Sequence, residues 1–169
     1  AAHHVVLASG GASRGEEDHV VRSVAEHGRL DFWQIAMKPG RPLAFGRLGE
    51  AVFVGLPGNP VAAMVCFLLL ARPVLLRLAG AAWSLPQAVE LPAAFALLKK
   101  PGRSEYARAV LGADAQGRPR VERTLRDGSH LLSALVEADG LVELPPELER
   151  VAVGDPVRYL SFAALGAIG

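Results

Sequence analysis

The chain has 169 residues, of which 51% are hydrophobic and 21% are charged, and its formal net charge is +1. This length predicts one domain or two small ones with a substantial apolar core. The near-neutral charge argues against a nucleic-acid-binding protein, which usually carries a more basic balance. The single cysteine, Cys66, excludes an internal disulfide framework and favours a reducing compartment.

Two further features favour a cytoplasmic protein without membrane association. The longest apolar run, residues 61–71, is followed by Arg72-Pro73 and is shorter than the roughly 20 residues that cross a bilayer. No charged n-region of a signal peptide precedes the first strand.

The first half of the chain alternates strands and helices. Residues 4–8 form a predicted buried strand that ends at Ser9-Gly10-Gly11. A strand so close to the first residue suggests that the sheet begins earlier, in a longer protein. The next helix opens with a capping box, Ser13 as N-cap and Glu16 three residues on. Helical spacing predicts an apolar stripe made of Val20, Val21, Val24 and Ala25. Gly28, after His27, is the predicted glycine stop at the end of the helix.

A second strand and a second helix follow. A strand is predicted over residues 32–37 and ends in the loop Lys38 to Pro42. Residues 43–45 and 52–54 read as a pair of strands. Asn59 caps the next helix, with Pro60 at its first position. That helix should kink or restart at Arg72-Pro73 and end near Gly80.

The sequence pattern changes after about residue 81, where short segments alternate with Gly, Pro and Asp turn signals. This spacing predicts a small all-β domain, a sandwich or a barrel. We place the boundary between Gly80 and Pro92 and predict two domains, residues 1–82 and 83–169.

Two glycine-containing turns are candidate anion sites, because each leads from a strand into a helix start whose N–H groups and dipole favour negative charge. They cover residues 9–18 and 57–60. Ligands of open α/β sheets gather at this end of the strands. The alternative is that the glycines only let the chain turn. Asp18 is either a Mg²⁺ ligand or a carboxylate that favours its helix start, and Glu16 and Glu17 are equally well spaced.

Basic residues offer a second kind of site. Lys38 and Arg41 flank Pro39-Gly40, and the prolines should hold both cations near one place, which suits a small dianion. They could equally be solvated loop charges. In the second domain Arg108 shares a strand face with Tyr106. Ser129 lies beside a histidine in the triplet at residues 128–130, but no nucleophile-elbow motif surrounds it, so serine hydrolase chemistry is not predicted. No pair of histidines has the spacing of a helical zinc motif, so a zinc site is not predicted either.

Taken in order, these motifs resemble the C-terminal portion of the MoeA family of molybdopterin molybdenumtransferases, which includes the E domain of gephyrin. Any one motif is weak, but their order and spacing match through nearly the whole chain. The segments that carry the resemblance are residues 9–18, 32–42 and 56–61, then 101–103 with Tyr106 and Arg108, and 128–130.

The resemblance implies a fold and an activity. The fold is α/β, with part of a three-layer α/β/α molybdopterin-binding domain followed by a small β-barrel-like domain. The reaction is insertion of molybdate into adenylylated molybdopterin, with Mg²⁺ assistance and release of AMP. The full-length family members act as homodimers, with small-molecule substrates and no nucleic-acid or membrane partner.

The resemblance also assigns residues to roles. Gly10, Gly11 and Ser13 would donate to phosphate or pterin, and Asp18 would hold Mg²⁺. The second turn, with Gly58 and Asn59, would also contact substrate, while Pro42 and Pro57 shape the pocket wall. An oxyanion cage for molybdate, between the two domains, would comprise Lys38, Arg41, Arg108 and Ser129, with Lys38 and Asp18 as catalytic residues.

Some positions depart from the family pattern. Gln34 stands where some members carry a basic residue, Arg14 replaces a small or apolar one, and Ala62-Ala63 stand where many have serine. The family's upstream domains are absent from this sequence, so the fragment alone is not expected to be a complete enzyme. Two alternatives remain: a receptor-clustering scaffold of the gephyrin type, and a molybdopterin adenylyltransferase, against which the β-domain argues.

Overall fold

A computed structural model describes residues 3–10, 19–124 and 133–167, except for the side chains of Trp33, Ser133 and Ala134. Two compact units are formed. The first comprises Ala1–Ile35 and Pro39–Ser84, and the second comprises Ala36–Lys38 and Leu85–Gly169. The predicted mixed α/β class is confirmed.

Short strands make up most of the regular structure, and the helices are concentrated in the first half of the chain. The strands are β1 (Val5–Ser9), β2 (Arg29–Gln34), β3 (Met37–Lys38), β4 (Pro42–Leu48), β5 (Ala51–Leu56), β6 (Val89–Pro92), β7 (Leu97–Leu98), β8 (Ser104–Ala113), β9 (Pro119–Arg123), β10 (Gly140–Leu144), β11 (Arg150–Val151) and β12 (Pro156–Ser161). The helices are α1 (His19–His27), α2 (Pro60–Cys66), α3 (Arg72–Leu78) and α4 (Ser133–Val136), with a π-helical turn, Phe67–Ala71, joining α2 to α3.

The first unit is built on a four-stranded sheet in the order β1-β5-β4-β2. Strands β1 and β5 are parallel, with Ser9 opposite Leu56, so both end at the same edge. The other two pairings are antiparallel. Strands β4 and β5 contain both segments predicted as a strand pair and extend beyond them. Helix α1 covers one face of the sheet, where Val24 is buried with Ala44 and Phe53.

The predictions for α1 need two corrections. Ala25 is exposed rather than part of the apolar stripe, whereas Val20 and Val21 pack as predicted. The helix does end at His27, but Gly28 does not adopt a positive φ. A Cβ at Gly28 would collide with the Arg47 carbonyl oxygen, so this position is a glycine because the backbone of β4 passes too close for any side chain. The capping box of Ser13 and Glu16 lies outside the described residues.

The prediction of one strand over residues 32–37 is wrong, because that stretch contributes to two different sheets. Strand β2 starts earlier, at Arg29, and pairs with β4. The short β3 pairs in parallel with β8 of the second unit. The change occurs between two neighbours: Ile35 donates its N–H to the Arg41 carbonyl (3.1 Å), whereas the carbonyl of Ala36 accepts from the N–H of Ser104 (3.0 Å).

The second helix begins as predicted, and at Arg72-Pro73 a π-helical turn ends and the α-helical segment α3 begins, in agreement with the predicted restart. Asn59 is the N-cap, with its Oδ1 accepting from the Ala62 N–H at 3.1 Å, and Pro60 occupies the first turn. Near Pro73 the backbone widens into the π-helical turn, in which the Arg72 N–H donates to the Phe67 carbonyl. A π turn relieves the clash between a proline ring and the preceding turn, so the helix continues to Leu78. Gly80 (φ 77°) follows it.

The length argument against a membrane helix therefore fails. Helical structure is continuous over Pro60–Leu78, 19 residues with a mean hydropathy of 2.1, which suffices for a bilayer span by length and composition. Helices in the core of soluble proteins also meet this test. Here 33% of the most apolar window is buried, along a face that includes Val61, Val65, Cys66, Leu68 and Ala71.

The second unit is mostly β, as its turn signals predict. Its main sheet runs β3-β8-β10-β12-β6, with β9 paired to β8, and a separate two-stranded sheet joins β7 and β11. A bridge between Ala93 and Val121 links the end of β6 back to β9, and the Ala94 N–H donates to the Val121 carbonyl at 2.8 Å. This return contact is consistent with the predicted barrel-like form. Helix α4 is an addition to the all-β prediction.

Candidate functional site

The two glycine turns predicted from the sequence come together at one edge of the first sheet. Gly10 follows β1 with φ 84°, a left-handed conformation that favours glycine. Its N–H donates to the Leu56 carbonyl at 3.1 Å. A Cβ added to Gly58 would lie 3.4 Å from the Gly10 Cα. The two turns are therefore in direct contact, which the parallel pairing of β1 and β5 brings about.

Within the second turn the residues differ in their accessibility. Pro57 is buried, Gly58 is exposed and Asn59 is half-buried. The Pro57 carbonyl lies 3.5 Å from the hydroxyl of Ser9, which donates to it. Gly58 thus has surface open to a ligand, whereas Pro57 supports the turn from inside.

Several predicted site residues lie outside the described residues: Gly11, Ser13, Asp18 and Ser129, with Glu16 and Glu17. Within residues 3–10, 19–124 and 133–167, no group of three or more His, Cys, Asp or Glu side chains that could hold a metal ion is found. Mg²⁺ does not require such a group, because one or two carboxylates with phosphate oxygens and water complete its octahedron. A single carboxylate beyond the Gly10 turn is compatible with that requirement.

Lys38 belongs to the second unit and is held there by an ion pair. Its Nζ donates to Oε2 of Glu105 at 3.0 Å, and the two residues are register partners in the parallel pair of β3 and β8. The other oxygen of the same carboxylate, Oε1, accepts from Nε of Arg103 at 3.3 Å. Neither Arg103 nor Glu105 is among the site residues that the sequence predicts.

Arg41 and Pro42 belong to the first unit. Arg41 is exposed, and its carbonyl closes the loop by accepting from Ile35. Pro42 begins β4 and lies opposite Gln34. The chain passes from the second unit to the first between Lys38 and Pro39, so the joint action of Lys38 and Arg41 on one anion stays a prediction.

Arg108 and Tyr106 lie two residues apart on β8, opposite Leu141 and Glu143 of β10. The Tyr106 hydroxyl donates to Oε1 of Glu143 at 3.3 Å, and Arg158 pairs with the other oxygen of that carboxylate at 2.9 Å. Burial, and secondarily the negative charge and hydrogen bond of Glu143, raise the pKa of Tyr106 to about 12. The phenol therefore stays protonated at neutral pH and acts as a hydrogen-bond donor.

Not every basic residue of the second unit is available to a ligand. The side chain of Lys99 is buried and its Nζ donates to the carbonyls of Lys100, Pro146 and Leu148 at 3.4, 3.3 and 3.1 Å. All three N–H groups of this ammonium can be used in those bonds. Lys99 is therefore part of the framework, tying the end of β7 to the loop before β11.

An open cavity of about 350 Å³ in the second unit is lined by alanines 94 and 96, Phe95, Thr124 and three charged residues, Arg120, Glu122 and Arg123. Arg120 pairs with Glu122 at 2.7 Å. The lining thus offers charge of both signs.

Cys66 is fully buried in the first unit, and its thiol donates weakly to the Gly40 carbonyl at 3.7 Å. Burial raises the pKa of the thiol to about 12. Since the thiolate is the reactive form, this cysteine serves as a packing residue.

Comparison with known proteins matches both parts of the chain. Residues 1–77 match the family described as "probable molybdopterin binding domain", and residues 90–162 match the MoeA C-terminal region, domain IV. A molybdopterin-binding domain followed by this C-terminal region defines the class of protein.

The relatives are consistent with one another. The chain is 39% identical to the molybdopterin molybdenumtransferase of Haemophilus influenzae, over 94% of the chain and 39% of the relative. It is 32% identical to molybdopterin molybdenumtransferase 1 of Mycobacterium tuberculosis, over 96% of the chain and 39% of the relative. The crystal structure of a molybdopterin biosynthesis MoeA protein from Pyrococcus horikosii matches with a TM-score of 0.76 and 26% identity, over 95% of the chain and 38% of that structure.

The chain belongs to the MoeA family of molybdopterin molybdenumtransferases and corresponds to the C-terminal portion of its members. It spans about two fifths of the length of these relatives, 39% in both cases.

Proposed function

We propose that this chain is the portion of a molybdenum cofactor biosynthesis enzyme that binds molybdate and adenylylated molybdopterin. The overall reaction joins molybdate to the dithiolene of the pterin and hydrolyses the pyrophosphate bond, so that AMP leaves. The observation that carries the proposal is the direct contact of the two glycine turns at Gly10 and Gly58, in a chain of this family.

The binding roles follow from the chemistry of each group. Backbone N–H groups of glycine turns at strand ends suit phosphates and the polar edge of a pterin, which supports roles for Gly10, Gly11 and Ser13 in one turn and Gly58 and Asn59 in the other. Pro57 and Pro42 shape the wall of the pocket.

Cationic and hydroxyl side chains suit the binding of the molybdate oxyanion. We propose that Lys38, Arg41, Arg108 and Ser129 bind molybdate, with Lys38 also acting during the reaction by holding negative charge on the transferred oxyanion. Lys38 is mostly exposed, with 56% of its side-chain surface accessible. Its ammonium has three N–H groups, so bonds to solvent or substrate remain possible beside the bond to Glu105.

Asp18 is the proposed ligand of Mg²⁺, which when bound supplies positive charge that eases cleavage of a phosphoric anhydride. In the sequence, Asp18 follows the Gly10 turn and directly precedes α1 (His19–His27). Complete activity further requires the remaining part of the protein, acting as a cytoplasmic homodimer. The division at residues 82 and 83 into a molybdopterin-binding and a C-terminal functional domain is part of the same proposal.

Replacing Asp18 with Asn in the full-length protein tests this assignment. We expect Asp18→Asn to abolish the Mg²⁺-dependent release of AMP from adenylylated molybdopterin in the presence of molybdate, because an amide is a poor ligand for a hard cation. Chromatographic measurement of AMP gives the rate. Glu16→Gln and Glu17→Gln are matched controls that should keep the activity. Unchanged AMP release in Asp18→Asn would remove Asp18 from the mechanism.

A further inference from the structure

One carboxylate in the second unit holds two cations that reach the surface. The side chain of Glu105 is only 11% exposed, and each of its two oxygens accepts from a different cation, Lys38 at 3.0 Å and Arg103 at 3.3 Å. The side chains of these cations are 56% and 41% exposed. Glu105 therefore anchors both head groups from the buried side and leaves much of their surface open.

Within the described part of the chain, the two head groups leave most of their hydrogen-bonding capacity unused. Among the described residues, Lys38 uses one N–H of its ammonium and Arg103 uses only its Nε–H. An ammonium carries three N–H groups and a guanidinium five. The formal charge of the cluster, two cations less one carboxylate, is +1. A positive cluster with several open donors suits an anion with several oxygens.

The other glutamate–arginine pair of this unit has a different arrangement. Arg120 directs both Nε and an Nη atom to the same oxygen of Glu122. The side chain of Glu122 is itself 46% exposed, and that of Arg120 is 40% exposed. The pair has no formal net charge, and two N–H groups of Arg120 are used in binding Glu122. Arg120 thus matches Arg103 in exposure and in having a glutamate partner, but both of its bonds go to one oxygen of that partner.

We propose that Arg103 binds the tetrahedral oxyanion together with Lys38, as two cations held side by side by Glu105. The inference rests on the proposed function, because it extends the molybdate site of Lys38 by one residue. The oxyanion accepts N–H bonds from both head groups on the face turned away from Glu105. Simple stabilisation of β3 against β8 is the competing explanation, and it requires no ligand contact by Arg103.

The binding of sodium molybdate to the full-length protein, measured by calorimetry at low ionic strength, separates these explanations. We expect Arg103→Gln to weaken molybdate binding about tenfold or more, the effect of losing one charge-assisted hydrogen bond. Lys38→Gln should weaken it by a comparable factor. Arg120→Gln, the matched control, should leave the affinity unchanged. Arg103→Lys, which keeps the charge but loses the guanidinium geometry, should fall between wild type and Arg103→Gln.

A second measurement does not depend on any variant. In nitrogen-15 NMR spectra of the wild-type protein, the side-chain resonances of Arg103 and Lys38 should both move as molybdate is added, and that of Arg120 should not. An unchanged Arg103 resonance, or Arg103→Gln with wild-type affinity, would overturn the inference. If Lys38→Gln alone loses affinity, the proposed function survives without Arg103. If wild-type protein binds no molybdate, the proposed function fails as well.

Discussion

The phenol of Tyr106 lies at one end of a polar row that crosses three neighbouring strands, with Glu143 at its centre. Its hydroxyl donates to Glu143 on β10, which also pairs with Arg158 on β12. Burial is the larger reason that the pKa of Tyr106 rises to about 12, and the charge of Glu143 adds to it. Since Tyr106 keeps its proton longer in the folded than in the unfolded chain, it contributes stability below about pH 10. That contribution is lost as the pH rises through about 12.

A tyrosine titration tests this local electrostatics. We expect Glu143→Gln to lower the pKa of Tyr106 from about 12 toward its ordinary value of 10.0, incompletely because the burial remains. Ultraviolet absorbance of the phenolate gives the titration, and Tyr106→Phe identifies the signal of Tyr159, the second tyrosine of the chain. Glu90→Gln on β6 is the control and should leave the titration unchanged. An unchanged curve in Glu143→Gln would contradict the contact between Tyr106 and Glu143.

At the scale of elements, the stability of helix α2 depends on its N-cap residue, Asn59. Asn59 Oδ1 accepts from the Ala62 N–H at 3.1 Å, and no acidic residue lies in the first turn. Asn59→Ala should lower the free energy of unfolding by about 0.5–2 kcal/mol, the usual cost of losing an N-cap. Urea denaturation measures it. Asn59→Asp, which keeps a capping oxygen, should be close to wild type, and equal stability of all three proteins would rule out the cap.

The elements differ in how far the sequence predicts them. The Asn59-Pro60 start and the pair β4 and β5 are encoded locally, by a capping residue and by strands on either side of a glycine turn. The division between β2 and β3 is not, because its cause is the hydrogen bond from Ser104 to Ala36, 68 residues earlier in the chain. The π-helical turn could not be predicted either. The rule for an internal proline predicts only a kink or a restart of the helix, and does not consider a widened turn that accommodates the ring.

For the whole molecule, the sequence predicts the family, the mixed α/β class and the approach of the two glycine turns. It does not predict the ion pair of Lys38, because Glu105 is 67 residues away and only the pairing of β3 with β8 brings them together. Lys38 and Arg41 are neighbours in sequence, yet they belong to different units. Local spacing therefore identified the cations but not the carboxylate that anchors them.

The central claim is that this chain binds the oxyanions of molybdenum cofactor synthesis, and calorimetry with molybdate and with AMP tests it most directly. Titrations of the full-length protein are compared with and without Mg²⁺. Both ligands should bind, and Mg²⁺ should strengthen the binding of AMP, because a Mg²⁺ ion held by Asp18 would supply positive charge for the phosphate. A folded full-length protein that binds neither molybdate nor AMP under any of these conditions would contradict the enzymatic account and favour a scaffold role.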